Sequence, residues 1–298
     1  MNTSILKRKL QDFPFLLLLL CSIFCMLEAN GQHSKVDSLL VELGQLKNDT
    51  SKVILYDELS LQLYNTISES GKAIEYAKAG LKLADEIGFQ ERTVTLLSKI
   101  GVAFINLSEF DSANFYLEKS LAKARQLGDR PGEASAYYNM GIVKVHRSEN
   151  DVALNYFRKA MHIYQQENFP NKIAQTNNWF GNIYKDTNQV DSALFYYHKA
   201  LDYHTTNKDY YNMGIAQINM SSIFRISKQY EQAISWAQIS KTNFEKGNDK
   251  NGVGISLYRL SLAYYEMDSL GKAEETLLEA KTTFEELNDV YFLNNVYN

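Results

Sequence analysis

The residues best equipped for acid–base or metal chemistry are five histidines, His33, His146, His162, His198 and His204. A helix that shares a metal between two imidazoles needs them at i and i+4, and no pair here has that spacing. Gly252-Val253-Gly254 is half of a loop that could wrap a dinucleotide pyrophosphate, but Leu257 replaces its third glycine and no strand pattern precedes it. It reads as a turn before a helix. The patterns GxxxxGK[ST], HExxH and GxSxG are absent, and Glu274, Glu275 and Glu279 have the look of a solvated helix face. The expectation is a non-enzymatic chain with no catalytic residue, metal site or cofactor. What is left is chemistry of recognition: Asn178, Asn182 and Lys185 fall at i, i+4 and i+7, and one larger interval separates Lys185 from Arg225 and Asn219 from Arg259. Amides and cations in that order hydrogen-bond and neutralise a ligand without breaking its bonds.

These side chains need elements to hold them. Ala73, Ala113, Ala153, Ala193, Ala233 and Ala273 recur at that same interval, and so do Gly101, Gly141, Gly181, Ser221 and Ser261. Between them apolar residues keep helical spacing, as in Asn177, Phe180, Gly181 and Tyr184, or Ala193, Tyr197 and Ala200. Each repeat therefore reads as two antiparallel helices, with the small residues at the depth where the pair comes closest. Asp111, Asp151 and Asp191 stand where a second helix begins and are expected to cap it. Gly88, Gly128, Asn168, Asn248 and Asn288 suit the left-handed residue that ends one, with Lys208 breaking the series. Pro131 and Pro170 fit the first turn of the helix that follows.

The columns resemble the tetratricopeptide repeat (TPR) family. "YNMGIVK" with "DVALNYFRKA" and "LYRLSLAYYEMDSLGKAEETLLEA" carry its pattern of a large residue, Leu-Gly and Tyr on the first helix and Ala, Phe, Ala on the second, with Lys144 and Ser261 as departures. The first unit fits with Ser60 in the small position. The resemblance covers residues 52–287 as six repeats after a lead-in helix at 32–51, and residues 288–298 open a seventh. It implies an all-α fold, a right-handed α-solenoid of antiparallel helix hairpins (a TPR superhelix). The period exceeds the family's usual ~34 residues, the excess lying after the last small residue of the second helix. Long repeats of this kind look like TPR sensor regions of bacterial signalling proteins.

Lys7, Arg8 and Lys9, the apolar run from Phe15 to Leu27 and the small residues around Ala29 and Gly31 form a cleavable secretory signal, residues 1–31. The expected location is exported, periplasmic or secreted. Both cysteines, Cys21 and Cys25, lie inside that signal, so the exported part cannot rely on disulfides. The formal net charge of −4 argues against a nucleic-acid partner, which calls for a basic face.

TPR stacks bind along the concave surface lined by first helices. Register assigns Val102, Ile105, Tyr138, Ile142 and Val145 to its early half. Asn178, Asn182, Lys185, Asn219, Arg225 and Arg259 fall in its later half, an arrangement suited to an extended peptide with an acidic end. The candidate peptide-binding residues are therefore Tyr138, Asn178, Asn182, Lys185, Asn219, Arg225 and Arg259. Some TPR co-chaperones hold a terminal carboxylate with asparagines, an arginine and two lysines. Asn182, Asn219 and Arg259 match that clamp, while Asn178 and Ile255 stand in the lysine places. Asp111-Ser112-Ala113 and Asp191-Ser192-Ala193 resemble an acceptor used in bacterial O-glycosylation of exported proteins, although helix capping accounts for the same residues. Tyr291, Phe292, Leu293 and Val296 leave an apolar end: the expectation is either a truncated product or fragment of a larger protein, whose seventh repeat is cut short, or completion of the stack by another chain, with self-association there. The function expected is a TPR scaffold for a protein or peptide, the extracytoplasmic sensor part of a signalling protein; a complete periplasmic adaptor or chaperone-like factor is the alternative.

Overall fold

The computed structural model describes residues 35–63, 69–287 and 289–297. The expected signal at 1–31 and the expected left-handed residue Asn288 lie outside the described residues. Among the described residues every regular element is helical. The chain divides into two compact units, one ending at Leu127 and the other beginning at Gly128. The first contains α1 (35–45), α2 (Thr50–Leu63), α3 (Ser70–Glu86), a short 3-10 turn (Gln90–Arg92), α4 (Thr93–Asn106) and α5 (Phe110–Leu127). The second contains α6 (Arg130–His146), α7 (Asn150–Gln166), α8 (Pro170–Asp186), α9 (Val190–Thr206), α10 (Tyr210–Ile226), α11 (Tyr230–Lys246), α12 (Lys250–Glu266), α13 (Leu270–Glu286) and α14 (Val290–Tyr297). Within each unit consecutive helices pack as pairs, the all-α hairpin stack the periodicity implies.

Helices α6 to α12 end by one device. Ser148, Asn168, Asn188, Lys208, Lys228, Asn248 and Asp268 all take φ between 54 and 61°. The next amide then turns back to a carbonyl five residues earlier, as in Glu149 N–H to Lys144 O (2.9 Å) and Asp249 N–H to Phe244 O (2.9 Å). This bond satisfies an acceptor that a helix end otherwise leaves open. Lys208 does not break the series after all; it adopts the same conformation without glycine's freedom. Helices α6 to α13 are each 17 residues long, first and second helices alike.

The small residues sit where the hairpins close. A Cβ on Gly141 would come within 2.8 Å of the Phe157 ring, and one on Gly181 within 2.6 Å of Tyr197. In the first unit Gly101 meets Leu117 at 2.7 Å in the same way. Ala73, Ala113, Ala153, Ala193 and Ala233 are fully buried. Serine serves the same purpose with a hydrogen bond added: Ser221 Oγ donates to Ala233 O at 2.7 Å.

Two expectations need correction. Asp151 and Asp191 do not cap: each is the second residue of its helix, and the N-caps, Glu149 and Gln189, make no side-chain cap bond. Capping falls instead to Asp129, Asp209 and Asp249, whose carboxylates accept from Gly132, Asn212 and Gly252 N–H at 2.9, 3.2 and 3.1 Å, and to Asp289 with Phe292 N–H. Gly252 and Gly254 are no turn. Both lie inside α12, and a Cβ would strike Phe244 at 2.3 Å from the first and Phe284 at 2.7 Å from the second. Pro131 and Pro170 do occupy first turns, of α6 and α8.

Candidate ligand-binding face

The first helices of the second unit, α6, α8, α10 and α12, carry all seven candidate residues. Side-chain bonds tie successive first helices to one another. Trp179 of α8 donates its indole N–H to the Tyr138 hydroxyl of α6 at 2.8 Å, and Arg225 of α10 pairs with Glu266 of α12. Tyr138 also packs edge-on against Phe157, on which Trp179 stacks at 5.8 Å between centroids. Lys172 Nζ stands 5.8 Å over the Tyr138 ring, and burial lowers its pKa. Burial also raises the Tyr138 pKa far beyond its ordinary value, so the phenol stays neutral.

The central amides have unlike environments. Asn182 Oδ1 accepts from the Tyr197 hydroxyl at 2.6 Å, a bond that fixes the amide from behind. Asn178, four residues earlier on the same face, is 8% exposed, and its Oδ1 is buried with no hydrogen-bond partner. Asn219 is half-buried on α10. The three cations are not bare. Lys185 lies 3.5 Å from Asp186 and Arg225 pairs with Glu266, while the Arg259 guanidinium stands 5.9 Å over the Tyr258 ring. The sequence reading thus overstates the positive charge of these helices: it left out Asp186, adjacent to Lys185 in the chain, and Glu266, a whole repeat beyond Arg225. Trp179, Lys172 and Glu266 were missed. The signal that points to Trp179 and Glu266 is an offset of one repeat plus one residue, which both Tyr138–Trp179 and Arg225–Glu266 share.

Elsewhere in the unit, His204 is wholly buried with Nδ1 3.1 Å from Asp209 Oδ2. Burial depresses its pKa, and the aspartate opposes that only in part. Among the described residues no cluster of three His, Cys, Asp or Glu could hold a metal ion, and no helix is long and apolar enough to cross a membrane.

Comparison with known proteins bears on this arrangement. The tetratricopeptide repeat profile matches residues 92–166, and a second profile of the same description matches 174–203. No curated protein sequence matches the chain. Among solved structures, aspartyl phosphate phosphatase F from Bacillus subtilis superposes with a TM-score of 0.63 at 18% identity, over 80% of this chain and 61% of that one. The quorum sensor NprR from B. thuringiensis, without ligand, gives 0.62 at 16% identity over 91% and 80%. NprR in complex with its cognate peptide NprX gives 0.62 at 16% identity over 98% and 83%. At such identities the likeness is one of fold.

Proposed function

The chain is a tetratricopeptide-repeat protein, in its sequence profiles and in its fold, and from that premise we propose that it binds a protein or extended peptide across the first-helix face of its second unit. The observation that carries this reading is Asn178. A buried amide oxygen without a partner costs roughly 1–3 kcal/mol, and a ligand main-chain N–H arriving at this face would satisfy it. Arg225 Nε, also buried without an acceptor, offers the complementary donor for a carbonyl. Tyr138, Asn182, Lys185, Asn219 and Arg259 frame these two groups and would set orientation and side-chain preference. NprR, similar in fold, has been solved with its cognate peptide, which supports the class of ligand. No cofactor, metal or nucleic acid enters this reading.

The amino-terminal sequence supports an exported location, and on that ground the binding face is the sensor portion of a signalling protein. A free periplasmic adaptor is the alternative, and it uses the same face. A displayed library of short peptides panned against the chain tests the binding reading. Enriched peptides are expected to bind Asn178→Ala at least ~10-fold more weakly, the equivalent of about 1.4 kcal/mol, while its melting temperature holds. Peptides that bind the variant as well as the parent would refute it.

A further inference from the structure

The acidic end expected of a peptide finds little free charge at the later first helices, because Arg225 is neutralised by Glu266 and Lys185 lies beside Asp186. The region between α6 and α8 is different. Lys172, in the first turn of α8, is half-buried, donates from Nζ to Gln175 Oε1 at 3.1 Å and stands over the Tyr138 ring. Among the described residues no carboxylate comes within ion-pair distance of it. The depression of its pKa has burial as its cause, with no counter-ion to oppose it.

The repeat register shows where a counter-ion has been given up. Gly132, Asn212 and Gly252, the counterparts of Lys172, each donate a backbone N–H to an aspartate three residues earlier, Asp129, Asp209 or Asp249. In α8 that aspartate is Phe169, which makes no cap bond. A cation thus enters at the one repeat of the four that lacks the acid. A half-buried ammonium without a counter-ion is costly, and an arriving anion removes that cost.

The polar groups around Lys172 are donors. The Tyr138 oxygen accepts from Trp179, and its own O–H has no acceptor among the described residues. Gln175 commits its oxygen to Lys172, which leaves its amide N–H groups to donate. Gln175 precedes Asn178 by three residues, so these donors lie one helical turn from the unpartnered amide oxygen.

We propose that a carboxylate of the bound peptide seats at Lys172, hydrogen-bonded by Tyr138 and Gln175, so that the ligand's acidic group lies over α6 and α8 instead of α10 and α12. This rests on the peptide-binding reading above and reverses the orientation that the sequence suggests. The carboxylate belongs to an aspartate or glutamate side chain or to the peptide's own terminus, since the same donors serve both.

The test is affinity selection by the chain, read by mass spectrometry, from two random nonapeptide pools, one with free and one with amidated carboxyl termini. Acidic side chains enriched in both pools identify a side chain as the source; retention of the free pool over the amidated one identifies the terminus. A retained peptide, labelled with fluorescein, is then compared by anisotropy with its carboxylate-to-amide analogue. The parent chain should prefer the acid by ~10-fold or more, and Lys172→Met should bind both alike. This variant keeps the apolar stem and removes a charge that lacks a counter-ion, so its melting temperature should hold or rise. Should it melt below the parent, Lys172→Gln takes its place. Equal affinity of the parent for acid and amide, or a preference that survives in the Lys172 variant, would overturn the proposal. In either case, weaker binding by Asn178→Ala would leave the peptide face itself standing. Retention of no peptide by the parent would overturn both.

Discussion

At the level of single residues, the stack depends on what is missing from Gly181. A leucine there meets Tyr197, whose ring is fully buried and whose hydroxyl is committed to Asn182. Overpacking of this kind costs ~1–3 kcal/mol, so Gly181→Leu should lower the melting temperature by at least ~2 °C. Thr187→Ala, in the adjoining turn, loses a hydroxyl that donates to Ile183 O and accepts from the exposed Gln189 amide, leaves no clash, and should shift it far less. His204 gives the fold a pH dependence. Its pKa is depressed below 6.5 in the folded chain, so as pH falls through about 6.5 the unfolded chain takes up the proton first. Stability contributed here is complete above that pH and declines below it. The melting temperature should therefore drop between pH 7.5 and 5.5, and His204→Gln should shrink the drop. The glycine could be recognised from sequence because packing demands its recurrence at a fixed interval. Nothing in the spacing marks His204, whose burial depends on the neighbouring turn.

The helices themselves are set by their joints. Between α6 and α13 each joint has three residues, the second left-handed, and its last residue both closes one helix and opens the next. Asp209 and Asp249 do both through different atoms: the backbone N–H satisfies the preceding helix, while the carboxylate caps the following one. Asp249→Ala should cost about 1 kcal/mol in urea denaturation. Asp191→Ala, which loses only a favourable interaction with the helix dipole, should cost no more than ~0.5 kcal/mol. Lys208→Gly relieves a side chain held at φ 54° and should be neutral or stabilise by up to ~1 kcal/mol. Sequence reading located these joints to within a residue or two, and that error was enough to credit the wrong aspartates. Asp111, Asp151 and Asp191 recur without a gap, whereas Phe169 interrupts the series of Asp129, Asp209 and Asp249, so periodicity favoured the wrong set; the helix start, one residue earlier than Asp191, ranks them correctly.

For the molecule as a whole, repeats that touch mainly their neighbours unfold in parts more readily than a globule does. Both tryptophans, Trp179 and Trp236, belong to the second unit. Denaturation followed by tryptophan fluorescence therefore reports that unit, while far-ultraviolet circular dichroism reports both. The two curves should separate by a measurable difference in midpoint; coincident curves would mean that the units unfold together. The hairpin stack was readable in advance because it follows from local spacing. The pairing of Arg225 with Glu266 was not, because partners on separate first helices share no local pattern. The uniform joint has a further consequence for how such a chain can change. Because Ser148 and Asn188 sit in the same backbone state, excising residues 149–188 would splice one joint onto its twin with no change of phase. Unequal crossover between homologous repeats in the gene would thus lengthen or shorten the protein by whole hairpins, each product inheriting a working seam.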